Sequence, residues 1–106
     1  MPKYLVSVSY TAAGIKGLRK DGGTKRRHVA RQAVESVGGK MESFYYCLGE
    51  RDVILIADMP DAVSVAALSI AIAATGSIQL ETTALLTAED IDRAVAKKTA
   101  YKAPGA

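Results

Sequence analysis

The chain is predicted to adopt an α+β fold of the ferredoxin-like type, a four-stranded antiparallel sheet in the order βαββαβ with an extra C-terminal helix. Three observations predict it. Strand signals occur four times: apolar and polar residues alternate in 3–10, 40–48 and 77–87, and 53–57 is continuously apolar. Helix signals in 24–37 and 61–75 fall after the first and third strands, while only a tight turn, 49–52, separates the second from the third. The composition of the 106 residues, 49% apolar and 24% charged, is that of one globular domain and excludes disorder and coiled coil.

Each element has a local reason. In the first strand Tyr4, Val6, Val8 and Tyr10 share one side, and Leu5, Ser7 and Ser9 the other. Residues 11–23 contain Gly14, Gly17, Gly22 and Gly23. Glycine disfavours a helix interior by about 1 kcal/mol against alanine, so this segment is expected to be a loop with at most two helical turns. Thr24 is expected to cap the next helix, 24–37. Its apolar stripe is Val29, Ala30, Ala33, Val34 and Val37, and Gly38 and Gly39 stop it. In the second strand Phe44, Tyr46 and Leu48 are set opposite Met41, Ser43, Tyr45 and Cys47.

Pro60 is expected to open the second main helix, with Asp58 as a capping residue and Gly76 as the stop. That helix is apolar nearly all round, through Val63, Val65, Leu68, Ile70 and Ile72, which calls for burial on more than one side. The last strand sets Ile78, Leu80, Thr82, Ala84 and Leu86 against Gln79, Glu81, Thr83 and Leu85. Thr87 and Asp90 stand at the capping-box offset ahead of a short helix, 88–98. The domain is expected to span 1–99, with 100–106 a flexible tail.

Right-handed crossovers place both main helices on one face of such a sheet. The other face then carries Leu5, Ser7, Ser9, Met41, Ser43, Tyr45, Cys47, Gln79, Glu81, Thr83 and Leu85 beside the apolar residues of the third strand. That mixture is too apolar for a solvated face and too polar for a dry core. A homodimer or higher oligomer with sheets packed face to face is expected, enclosing a small-molecule site.

Charge is uneven. The net charge is +3, yet 16–31 holds Lys16, Arg19, Lys20, Lys25, Arg26, Arg27 and Arg31 against Asp21 alone. This segment is the basis of an alternative reading, a nucleic-acid- or phosphate-binding or regulatory assembly module. Nucleic acid is the less favoured partner, since basic helix faces are common and the third strand lacks the aromatics that sheet-based RNA binding uses. One cysteine and one histidine exclude an internal disulfide and a structural zinc site, and no metal or cofactor is expected. The alternating N-terminal segment is unlike a signal peptide. Residues 62–80 carry no charge, but alanine, serine and threonine dominate there, so a buried helix and strand are expected rather than a membrane span, in a cytoplasmic protein.

The ligand-binding candidates are Ser9, Arg26, Tyr45 and Glu81. Arg26 falls within the apolar stripe of its helix, where a guanidinium must reach past the helix end or pair with a carboxylate or ligand. Glu81, mid-strand, would act as a general base if a cavity buried it, and Tyr45 would donate a hydrogen bond in the same space. Thr24 and Lys25, behind the glycine pair 22–23, are anion-binding candidates at a helix N-terminus, although the spacing is not that of a phosphate loop. His28 lies opposite the apolar stripe and is expected to be solvated. Asp52 reads as a turn or ion-pair residue, and Cys47 as a small buried thiol.

Tyr10 and Thr11, Gly14 and Ile15, Lys25 and Arg26, Gly38 to Lys40, Phe44 and Tyr45, Gly49 with Asp52, Pro60 and Asp61, and Thr82 and Thr83 occur in one order. In that order and spacing the chain resembles the GYD-domain family, a group of small bacterial and archaeal proteins. The resemblance covers about 3–90 and implies a ferredoxin-like fold of the dimeric α+β barrel type. Arg51 stands where the family motif Gly-x-Tyr-Asp has its tyrosine. The resemblance supplies no reaction; metal-free turnover in the manner of barrel-type monooxygenases or isomerases is an analogy of fold alone.

Overall fold

Alternating strands and two apolar helices produce the expected sheet. The structure, a computed structural model, describes residues 1–106. Its elements are β1 (Lys3–Tyr10), α1 (Ala12–Asp21), α2 (Gly23–Ser36), β2 (Lys40–Tyr46), β3 (Val53–Asp58), α3 (Ala62–Ala73), β4 (Ile78–Leu85) and α4 (Ala88–Ala96). The strands pair antiparallel in the order β2-β3-β1-β4. This is the ferredoxin-like α+β arrangement, with β1 and β3 central. Alternation sends Tyr4, Val6, Val8 and Tyr10 toward α2 and α3, together with Val53, Leu55 and Ala57 of β3. The contiguous buried core is Val34, Leu55, Ala57 and Met59, with Val6, Phe44, Val65 and Leu68 packed around it.

Several local expectations are corrected. Residues 12–21 form a ten-residue helix rather than a loop. The Thr11 hydroxyl caps it by accepting from the Gly14 N–H, and Thr11 also ties its start to the turn before β4, its N–H donating to Ser77 O at 3.0 Å and its hydroxyl to Gly76 O at 2.9 Å. Docking thus offsets the glycine cost. Thr24 does not cap α2: the helix begins one residue earlier, with Gly22 at its N-cap and a φ of 84° that suits glycine. Asp58 does not cap α3; Asp61 does, accepting from the Ser64 N–H, while Asp58 pairs with Lys3. The shift in register between Met41 and Ser43 is a β-bulge. It turns Met41 to the helix side, opposite buried Ala57, whereas the plain alternation assigned Met41 to the open face with Ser43. β2 ends at Tyr46, so Leu48 lies in the following loop, fully exposed.

The outer layer is incomplete. Only eight residues are buried. α3 contributes none of them, and its outward side leaves Ile70 69% exposed, so the second side of this helix is not covered by its own chain. The expected capping box at Thr87 and Asp90 is present and starts α4. Beyond it α4 stands clear of the sheet, leaving Ile91 and Val95 exposed. The radius of gyration, 17.1 Å, exceeds the ~13 Å of a compact chain of this length, and the molecule measures 58 Å along its longest axis. No helix is long and apolar enough to cross a membrane.

Candidate functional site

The open face of the sheet is built by the outward halves of the strands. Register places Tyr45, Ile54, Ser7 and Glu81 in one row across all four strands, and Ser43, Ile56, Leu5 and Thr83 in the next. Ser9 and Gln79 continue the face one step further along β1 and β4. Tyr45 and Glu81 thus occupy the two edges of one row, about three strand spacings or ~14 Å apart. Tyr45 is 71% exposed.

Sequence reasoning missed the partner of Glu81. The carboxylate forms an ion pair with Arg51, the residue in the place of the family tyrosine. The loop after β2 brings Arg51 there because Asp52 fastens that loop to β1. Its N–H donates to Val8 O at 2.8 Å, and its carboxylate accepts from the Tyr10 N–H at 2.8 Å. Asp52 is therefore a strand-end clamp, where a turn or ion-pair residue was expected; it makes no ion pair. Glu81, 63% exposed and held by Arg51, lacks in a single chain the burial that a general base requires. At the far end of the same face, Lys3 bridges Glu42 and Asp58 at 3.0 and 2.9 Å. These two carboxylates raise the Lys3 ammonium above its ordinary value.

Arg26 lies on the opposite side of the sheet. It lines a cavity of about 510 Å³ between α2, α3 and the helix-facing side chains of the strands. The four ligand-binding candidates are therefore divided by the sheet: Ser9, Tyr45 and Glu81 on the open face, Arg26 beneath the helices. The anion-binding pair does not converge either. Thr24 is exposed in the first turn of α2, and Lys25 turns back to Asp21 at 3.4 Å. Beside Arg26, burial raises the Tyr46 hydroxyl above its usual value; Tyr10 adds to the shift, and Arg26 and Arg27 oppose it. That hydroxyl donates to Gly23 O at 2.9 Å and fastens the start of α2 to β2. His28 is exposed, as expected, and Cys47 is a free, half-buried thiol.

An antiparallel β2-β3-β1-β4 sheet with helices on one face and a mixed polar and apolar open face defines a ferredoxin-like α+β protein. Within that class the match to the GYD domain model covers residues 4–95, and the chain belongs to the GYD domain family. No curated protein and no solved structure matches it.

Proposed function

We propose that the protein is a homodimer whose open sheet faces pack together and hold a small molecule between them. The observation that carries this reading is the open-face apolar patch of half-buried Leu5, Ile54, Ile56 and Leu85 with exposed Tyr45, over which the chain packs no helix. Burying such a face removes apolar surface from water at roughly 25 cal/mol per Å². Its charges suit a two-fold contact. Lys3 is paired with Glu42 and Asp58, a cluster of net −1, and Arg51 with Glu81, a neutral pair, so each face brings only one unbalanced charge to the contact. In a face-to-face dimer the polar groups at the edges, Tyr45 on β2 and Glu81 with Arg51 beside β4, gain neighbours from the second copy, while Ser7 and Ser9 line the middle. Mostly apolar walls with a few placed polar groups are the usual character of small-ligand sites.

Sedimentation equilibrium tests the assembly. Wild-type protein is expected at twice its 11.2 kDa chain mass, and Ile56→Lys at the single-chain mass. A wild-type monomer at micromolar concentration removes the proposal. A lysine variant that still dimerises moves the interface to α3 or α4. Native mass spectrometry of the dimer reads any carried molecule directly, and a ligand between the sheets should be lost from the lysine variant.

A further inference from the structure

The helix side of the sheet carries a second feature, independent of the dimer. Between α2, α3 and the strands lies the cavity of about 510 Å³, inside the ~300–1,000 Å³ range of small-molecule sites. Its origin is local. The α2 stripe presents small residues, Ala30 and Ala33, where it crosses the sheet, and α3 faces it with Leu68 and Ile72. The two helices therefore line the space without filling it. Of its 24 lining residues 19 are hydrophobic, so the body of any occupant must be apolar.

One charged side chain lines this space. Arg26, in the first turns of α2, is 28% exposed, and its only charged partner is Asp21 at 3.7 Å, beyond direct hydrogen-bond length. Asp21 is shared with Lys25. The Arg26 guanidinium, with five fixed N–H donors, is thus only loosely engaged by the chain. Tyr10 lines the cavity as well. The Tyr46 hydroxyl holds the start of α2 through Gly23 O, and Tyr46 pairs with Val53, itself opposite Val8, so Arg26 in the first turn of α2 stands toward the Tyr10 end of β1. From Tyr10 the floor runs along β1 to Tyr4, about 20 Å at ~3.4 Å per residue.

We infer that this cavity binds an amphipathic carboxylate, with its apolar body between α2 and α3 and its carboxylate on Arg26 beside Tyr10. A planar guanidinium matches a carboxylate bidentately, and such charge-assisted bonds are about twice as strong as neutral ones. A neutral head group would leave the guanidinium without that gain. A purely polar anion would leave the apolar walls in water.

The test uses dodecanoate below its micelle concentration, with 1-dodecanol as the uncharged counterpart, followed by titration calorimetry and by NMR shifts of the full chain. Dodecanoate should bind saturably, one per chain, at least tenfold more tightly than 1-dodecanol. Arg26→Gln should weaken dodecanoate tenfold or more and leave 1-dodecanol unchanged. Ala33→Phe should exclude both; if it does not fold, Leu68→Phe fills the space from α3 instead. Ile56→Lys, on the far side of the sheet, should bind dodecanoate as the wild type does, whatever becomes of the dimer. No saturable binding would overturn the inference, as would occupancy of the space by a helix of a second copy. So would an Arg26→Gln variant that keeps the wild-type affinity, or a dodecanoate site lost in Ile56→Lys and kept in Arg26→Gln.

Discussion

Replacing Gly14 by alanine should destabilise the protein, although alanine is the better helix former. In an isolated helix the change would favour folding by roughly 1 kcal/mol. Here an added Cβ would lie 2.0 Å from Ser77 O and 2.9 Å from Tyr10 Cδ1. Carbon contacts are optimal near ~3.5–4.0 Å, so α1 must withdraw by about 1 Å or more from the start of β4. That withdrawal strains the two bonds holding it there, Thr11 N–H to Ser77 O and the Thr11 hydroxyl to Gly76 O. Each is worth about 0.5–1.5 kcal/mol net. Overpacking adds roughly 1–3 kcal/mol. Less the helix gain, the expected loss is about 1–5 kcal/mol. Gly17 supplies the control: it lies in the same helix, and nothing stands within 4 Å of its added Cβ. Gly17→Ala should stabilise by about 0.5–1 kcal/mol. Urea unfolding followed by circular dichroism, at one protein concentration, reads both variants. At an m-value of about 1–3 kcal/mol/M, a 3 kcal/mol loss lowers the midpoint by roughly 1–3 M. A Gly14→Ala midpoint at or above the wild-type value would refute the docking of α1 on the α3–β4 turn.

Asp52→Ala should lower stability by about 1.5–3 kcal/mol, the worth of a hydrogen bond to a charged group, with Asp52→Asn recovering about half of it in the same urea titration because it still accepts from the Tyr10 N–H, as a neutral amide. The Arg51 and Glu81 pair separates the single chain from the dimer: in a solvated pair the coupling measured by a double-mutant cycle stays below about 1 kcal/mol, whereas sheets packed over it should raise the coupling well above that. Asp61 and Asp90 are held below their ordinary value of 3.8, first by the backbone N–H groups of Ser64 and Thr87 respectively. Their folded-state values are depressed, so their stabilisation is present above pH ~4 and is lost as pH falls through the lowered values. Helicity followed by circular dichroism should therefore decline on acidification below pH ~4, and Asp61→Asn with Asp90→Asn should flatten that decline.

The strands were legible because a two-residue alternation reports a sheet with two unlike faces, and this sheet has them. Val6, Val8 and Leu55 meet the helices, while Ser7, Ser9 and Ile54 meet the open side. Helix ends were legible where glycine marks them: Gly38 and Gly76 both take positive φ. Helix α1 was not, because its glycines obey a tertiary requirement. Gly14 is there to let the backbone approach Ser77, and propensity counts that residue only as a cost. Met41 was misassigned because a bulge leaves no trace in the alternation that it interrupts. The Arg51–Glu81 pair depends on the β1–β4 register and on where the loop after β2 lands, neither of which a local pattern encodes. The separation of Arg26 from Ser9, Tyr45 and Glu81 was implicit in the topology. A residue in the apolar stripe of a helix and a residue on the uncovered face of a sheet cannot meet within one chain.

That separation gives the two ligand questions different physical answers. On the open face the charged groups are already paired, Lys3 with Asp58 and Glu42 and Arg51 with Glu81, and the other polar groups are spread over the strands, so one chain offers a surface rather than a pocket, and only a second copy can enclose it. On the helix side one chain by itself forms a partly open cavity, and what it lacks is filling. The small α2 residues Ala30 and Ala33 keep α2 from being packed out against α3, and Arg26 sets a charge beside apolar walls. A dry apolar void forfeits the contacts of its whole lining, and wetting it leaves that lining exposed, so an occupant stabilises the fold in proportion to the space it fills. Ligand binding under the helices and association through the sheet should then each raise the stability of the folded chain, while the affinity of one face for its occupant stays independent of the other.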